Sequence, residues 1–240
     1  YGRAENILGS FWKGEANIST KLSWSSEWSS NEIIEHCYSS ICQSLKNLQM
    51  SKLASVITHS SWAPELENLN VVLQVLKRAK NEGLVEKIGL CGYRPSELKD
   101  EDLLEEIDIV QMPSNVFDDR FSKEGCIQRL KKFEVECSVR SIFLQGGLLE
   151  RKIPNMPATF YANQKLFDEW FKFCEKHEIT ALEACFNWVR QQEFDSVVVG
   201  AASASQLAQQ YAAFSIDQKC IRFPTWQSPV PIDLIDPRLW

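Results

Sequence analysis

Three side chains suited to proton transfer fall in order along the first quarter of the chain: the phenol of Tyr1, the ammonium of Lys21 and the imidazole of His59. Lys21 ends the strand-like run Ile18-Ser19-Thr20-Lys21, and His59 ends the next, Val56-Ile57-Thr58-His59. Parallel α/β barrels build their active sites at the C-terminal ends of the strands, which is where these two residues fall. A phenol with a pKa near ~10 is poorly matched to neutral pH. An adjacent ammonium favours the phenolate and lowers that value. An imidazole N–H beside the same oxygen donates toward negative charge as it develops. Each residue also has an ordinary reading. A strand-end lysine is commonly a solvated charge, a strand-end histidine satisfies local hydrogen bonds, and a terminal residue frays.

The elements that must position these groups alternate regularly. Short runs rich in Val, Ile and Leu predict strands at 18–21, 53–59, 86–91, 107–112, 136–143 and 196–200. Helical periodicity fills the intervals. Ile34, Cys37, Ile41, Leu45 and Leu48 form a stripe over 30–48, opened by the capping box Ser29-x-x-Glu32. Leu69, Val72, Leu73 and Leu76 do the same over 66–82, and Gly83 stands at a C-cap position. Further helices are predicted at 121–134 (Ile127, Leu130, Phe133), at 161–176 (Leu166, Trp170, Phe173), after Thr180-x-x-Glu183, and at 204–214 (Leu207, Tyr211, Phe214). Alternation of this kind implies parallel strands with right-handed crossovers. A closed barrel and an open doubly wound sheet both fit, but no G-x-G-x-x-G follows a strand, which argues against a dinucleotide-binding open sheet.

Composition narrows the class further. The 240 residues suffice for one large domain, and with 44% hydrophobic and 24% charged residues the balance is that of a globular protein. A net charge of -6 argues against nucleic acid as a partner. No apolar run approaches the ~18 residues of a membrane span. The eight cysteines form no C-x-x-C pair and lie scattered, which suits a reducing, cytoplasmic location. Only three histidines are present, and no metal site is expected.

Six segments together resemble the aldo-keto reductase superfamily. Tyr1-Gly2-Arg3-Ala4-Glu5 is similar to its Y-G-x-[SA]-E, and Lys21 and His59 match its strand-end lysine and histidine. Val85-Glu86-Lys87-Ile88-Gly89-Leu90 resembles its (V/I)-x-x-I-G-(V/L) strand, and Gln111 with Asn115 its Q-x-x-x-N segment. Val139 to Leu149 resembles the block ending Q-G-x-L, and Val199-Gly200-Ala201-Ala202-Ser203-Ala204-Ser205-Gln206-Leu207 its cofactor loop. The matches keep family order from residue 1 to about 214. They depart at Cys91-Gly92, where the family offers Ser-Asn, at Arg140, where an aromatic often stacks on the nicotinamide, and at Gln206, Gln209 and Gln210 in the last helix.

The resemblance implies a (β/α)8 barrel, one domain over 1–240 with a C-terminal tail over 215–240, and an NADPH-dependent reductase of an aldehyde or ketone, sugar-like carbonyls among them. Tyr1 would be the proton donor, Lys21 the group that depresses its pKa, and His59 the orienting donor. Gln111, Arg140, Ser141, Gly200, Ser203, Gln206 and Gln210 would hold NADP(H), with NAD(H) as the alternative. Gln206 can hydrogen-bond a 2′-phosphate but cannot neutralise it, so the preference would be modest. Trp24 and Trp62, close behind Lys21 and His59, would wall the substrate pocket, as would Trp28. His36 and His177 read as helix-surface residues. Since such a barrel has eight strands, two strands and a helix, roughly 40 to 50 residues, are expected upstream, and the open edges predict a chain prone to aggregation. The competing reading is a cofactor-binding but catalytically weak barrel that serves as a regulatory or interaction subunit. The oligomeric state leaves no trace in the sequence.

Overall fold

The structure, a computed structural model, describes residues 3–11, 14, 17–25, 27–59, 66–151, 156–216, 221–226 and 230–240. Tyr1 and Trp62 lie outside the described residues. Among those described, the strands are β1 (Ser19–Leu22), β2 (Leu53–Thr58), β3 (Val85–Cys91), β4 (Ile109–Pro113), β5 (Glu136–Arg140) and β6 (Ser196–Val197), joined in chain order in one sheet. The pairs β1–β2, β2–β3, β3–β4 and β5–β6 are parallel. The helices are α1 (Ala4–Phe11), α2 (Ser30–Leu48), α3 (Leu66–Asn81), α4 (Glu101–Leu104), α5 (Arg120–Lys123), α6 (Cys126–Lys132), α7 (Ala158–Ala162), α8 (Gln164–Lys176), α9 (Ala181–Arg190), α10 (Ala204–Ser215) and α11 (Ile232–Ile235). The result is an α/β fold. The chain divides into two compact units, residues 1–111 with 128–137, and 112–127 with 138–240.

In the first unit, local sequence and packing agree. The α2 capping box forms: Ser29 N donates to Glu32 Oε2 at 2.7 Å and Glu32 N to Ser29 Oγ at 3.4 Å. The buried stripe of α2 is Ile33, Cys37, Ile41, Leu45 and Leu48. Ile33 replaces the expected Ile34, which is 36% exposed, because steps of four from Cys37 and Ile41 lead back to 33. In α3, Leu69, Val72, Leu73 and Leu76 are all buried. Gly83, at φ 76°, reverses the chain after that helix, with Leu84 N donating to Ala79 O at 3.0 Å. Gly89 sits where β3 and β4 approach closely: a Cβ there would lie 2.0 Å from Ile109 O.

The second unit departs more from the periodicity. Its core is aromatic, centred on the fully buried Trp170, whose Nε1 donates to Leu148 O at 2.8 Å. The single helix expected at 121–134 is two, α5 and α6, broken at Gly125 with φ 71°. The one expected at 161–176 is α7 followed by α8, divided at Asn163, whose Nδ2 bonds Thr159 O at 2.7 Å. The strand expected to reach 143 stops at Arg140 because Ser141 takes φ 62°, and the strand expected over 196–200 is only Ser196–Val197. In α10 the pattern is inverted: Leu207, Tyr211 and Phe214 are 55%, 73% and 43% exposed, whereas Gln210 and Ala213 are buried. The tail joins the aromatic core through Trp226, which meets Phe117 edge-on at 5.3 Å and Trp170 at 6.0 Å.

None of the seven described cysteines forms a disulfide. Burial pushes the Cys37 thiol up to about 11 and that of Cys174 up to about 12. Among the described residues no group of three His, Cys, Asp or Glu side chains could hold a metal ion, and no helix is long and apolar enough to cross a membrane.

Candidate active site

In the first unit the strand ends bring the candidate residues into a row. β1 and β2 pair with Lys21 opposite Ile57 and Leu22 opposite Thr58. His59 N then donates to Leu22 O at 2.7 Å, extending the ladder by one step. Cys91 pairs with Gln111, and Gly92 N donates to Gln111 O at 2.9 Å. Parallel strands lie about 4.8 Å apart. Lys21, His59, Cys91 and Gln111 therefore stand at the same end of four successive strands. Lys21 and His59 are both solvent-exposed, whereas Gln111 is only 5% exposed.

The Gln111 side chain is the chemically pointed member of the row. Its Oε1 is buried and accepts no hydrogen bond among the described residues. A buried acceptor in that state carries a desolvation cost of about 1–3 kcal/mol, which a ligand amide N–H would relieve. Trp24, half-buried, has its Nε1 in the same condition. Trp28 instead meets His36 at a tilt, with ring centroids 4.4 Å apart.

Glu5 is a residue whose role the side-chain chemistry of the sequence did not announce. It accepts from Thr20 Oγ1 at 2.9 Å, Ser44 Oγ at 2.8 Å and Asn47 Nδ2 at 3.1 Å. Burial pushes its carboxyl up, but the bonds from Ser44, Asn47 and Thr20 outweigh that and hold it below the usual carboxylate range. It thus ties α1 to α2 and to the strand that bears Lys21. Gly9 completes the anchor: a Cβ on it would lie 2.2 Å from Asn47 O. The available signal was the glutamate of the Y-G-x-A-E match.

In the second unit Arg140 and Ser141 close β5. Val198 N donates to Val139 O at 2.7 Å, so the 198–203 segment leaves the sheet at the same end. The turn after β5 is strained, with positive φ at Ser141, Leu144 and Gln145. Such conformations persist where surrounding structure over-determines them, and they cluster at ligand clamps. Asn115 Nδ2 holds the turn by donating to Ser141 O at 3.2 Å, and Arg140 Nη1 donates to Ser141 Oγ at 3.3 Å. Ser203 caps α10, accepting from Gln206 N at 3.1 Å, while Gln206 Oε1 accepts from Ala202 N at 2.7 Å. Gln210 Nε2 donates to Gly200 O at 2.8 Å, and its buried Oε1 has no hydrogen-bond partner among the described residues. Six of the seven residues expected to hold the cofactor thus gather in this unit around two adjacent strand ends, and Gln111 stands in the other.

Comparisons with known proteins bear on the family and the fold. The profile of the Aldo/keto reductase family matches residues 1–222. The fold resembles that of an aldo-keto reductase from Bacillus halodurans in its holo form, at TM-score 0.70 and 19% identity over 90% of this chain and 73% of that one. The apo form of the same protein gives TM-score 0.68 at 20% identity, covering 90% and 72%. A Pseudomonas aeruginosa protein named as an aldo-keto reductase gives TM-score 0.61 at 20% identity, covering 89% and 71%. No curated relative matches the chain significantly.

Proposed function

The chain belongs to the aldo/keto reductase family, and from that premise we propose that it is an NADPH-dependent reductase of aldehydes or ketones on a (β/α)8 barrel, with Tyr1 as proton donor. The family makes it an oxidoreductase of carbonyl compounds. A bound dihydronicotinamide supplies the hydride. Everything else falls to the chain's own groups. The Tyr1 phenol protonates the alkoxide oxygen as charge builds on it. The Lys21 ammonium favours the phenolate and so brings the phenol toward neutral pH. The His59 imidazole orients the carbonyl and donates toward its oxygen. Glu5, through Thr20, Ser44 and Asn47, fixes the helix that follows Tyr1. Trp24 and Trp62 wall the substrate, and the seven described cysteines, none of them in a disulfide, suit a reducing compartment.

The observation that carries this reading is the buried, unsatisfied Gln111 Oε1 at the end of β4. It fits the carboxamide N–H of a nicotinamide, and the buried Gln210 Oε1 beside Gly200 offers a second acceptor, fitted to an adenine amino group. Ser203 and the amino-terminal end of α10 suit a phosphate. The preference for NADPH over NADH rests on Gln206 and is modest. Fluorescence titration of the full chain with each cofactor tests this. Saturable binding that weakens about tenfold or more in Gln111→Leu is expected. Absence of binding, or a variant that binds as well as the parent, contradicts it.

A further inference from the structure

A cavity of about 520 Å³ lies wholly within the second unit, between the loop leading into α5, the end of α9 and the tail. None of its walls is formed by Arg140, Ser141, Gly200, Ser203, Gln206 or Gln210. Its size falls in the range of small-molecule sites. Phe117, Trp188, Phe223 and Trp226 supply aromatic walls. These walls are braced from behind: Phe117 meets Phe167 at 5.5 Å, and Trp226 meets Phe173 at 6.1 Å.

The polar groups of the rim divide into committed and uncommitted. Arg120 is spent on the fully buried Asp118, donating through Nε at 2.7 Å and Nη2 at 2.9 Å. Lys123 pairs with Asp119 at 2.9 Å. Gln191 donates to Asn187 Oδ1 at 2.8 Å and to Ile221 O at 2.9 Å. Arg222 has no ion-pair or hydrogen-bond partner among the described residues, and Gln192 uses only its Oε1, accepting from Ser122 Oγ at 3.4 Å. One guanidinium and one amide NH2 group therefore remain as donors beside an aromatic cleft. A guanidinium matches a carboxylate or phosphate with two parallel bonds.

We propose that this cavity is a second ligand site, distinct from the one assigned to catalysis, and that it takes a flat apolar molecule bearing one compact anionic group, held by Arg222 and Gln192 with its body against Trp226 and Phe117. The test uses two dyes that share a naphthylamine body: 8-anilinonaphthalene-1-sulfonate, which carries an anion, and N-phenyl-1-naphthylamine, which does not. Each is titrated by fluorescence into the full chain, with and without saturating NADPH. The sulfonate binds at a single saturable site, about tenfold or more tightly than the neutral amine, and NADPH does not displace it. Arg222→Gln removes that advantage while leaving the neutral amine unaffected, and Arg222→Lys, which keeps the charge but not the two parallel bonds, restores part of it. Arg222 is exposed, so these substitutions leave the fold intact, which an unchanged cooperative melt verifies. Equal affinity for both dyes, indifference to Arg222→Gln, or displacement by NADPH overturns the proposal. None of these outcomes depends on whether the chain reduces carbonyls.

Discussion

Lys21, His59 and Gln111 are placed by backbone register, whereas Ser203, Gln206 and Gln210 are placed by side chains bonded to backbone. In the first group the parallel ladder fixes each Cα, through Lys21 opposite Ile57, His59 N on Leu22 O, and Gly92 N on Gln111 O. In the second, Ser203 caps its helix, Gln206 holds Ala202 N, and Gln210 holds Gly200 O. These residues shape the loop they are proposed to use for binding. Substitution at a strand end should therefore remove function and spare the fold. Substitution in the loop should blur the two.

The largest expected effect follows directly. Lys21→Met should lower kcat by about 10²- to 10⁴-fold while the melt and the cofactor affinity stay near the parent values, and the activity profile should move to higher pH, since the role proposed for Lys21 is to favour the phenolate. A Lys21→Met chain that melts early would mean that the lysine is structural. Next in size is Gly89→Ala, which attacks the register itself. With a Cβ only 2.0 Å from Ile109 O, β3 and β4 must separate, and the loss is expected at the upper end of the ~1–3 kcal/mol seen for overpacking. Denaturant unfolding measures it. A neutral outcome would mean that the ladder does not fix Gln111.

The loop should respond in a mixed way. Gln210→Met removes the bond to Gly200 O, and a net loss of about 1 kcal/mol in stability should accompany weaker NADPH binding with kcat unchanged. Loss of binding with no loss of stability would make the loop resemble a strand end after all. The smallest effect concerns Glu5. Its carboxyl is held below the ordinary value, so it contributes stability that is present above the unfolded carboxylate pKa and is lost as pH falls through the folded one. Melting temperature should drop on acidification below about pH 4, and the Glu5→Gln chain should start lower and drop less. Parallel acid curves for the two chains would remove Glu5 as an anchor.

The same contrast explains what the sequence made legible. Strand ends and long amphipathic helices follow from local rules: β-branched runs gave β1 to β4, and steps of three and four gave the buried sides of α2 and α3. The capping box read at Ser29 forms, and the helix expected after Thr180-x-x-Glu183 opens on a second one. What was lost depends on contacts distant in sequence. Helix α1 is short and held by Glu5 and Gly9 against α2, over 39 and 42 residues of separation to Ser44 and Asn47. Breaks at Gly125, Asn163 and Ser141 rest on single backbone angles or one side-chain bond. The inverted α10, with Leu207 and Tyr211 outside and Gln210 inside, shows periodicity giving the right helix and the wrong face, because the buried glutamine is bound to Gly200 O.

The central claim, that Tyr1 gives the proton in a carbonyl reduction by NADPH, is tested most directly by comparing the full chain with Tyr1→Phe. The measurement is NADPH oxidation and alcohol formation against a panel of aldehydes and keto-sugars. The account predicts that the parent consumes cofactor in step with alcohol produced, and that Tyr1→Phe binds NADPH equally well yet turns over at least about a hundredfold more slowly. A Tyr1→Phe chain that matches the parent rate, or a parent that binds NADPH and reduces none of the panel, would contradict it.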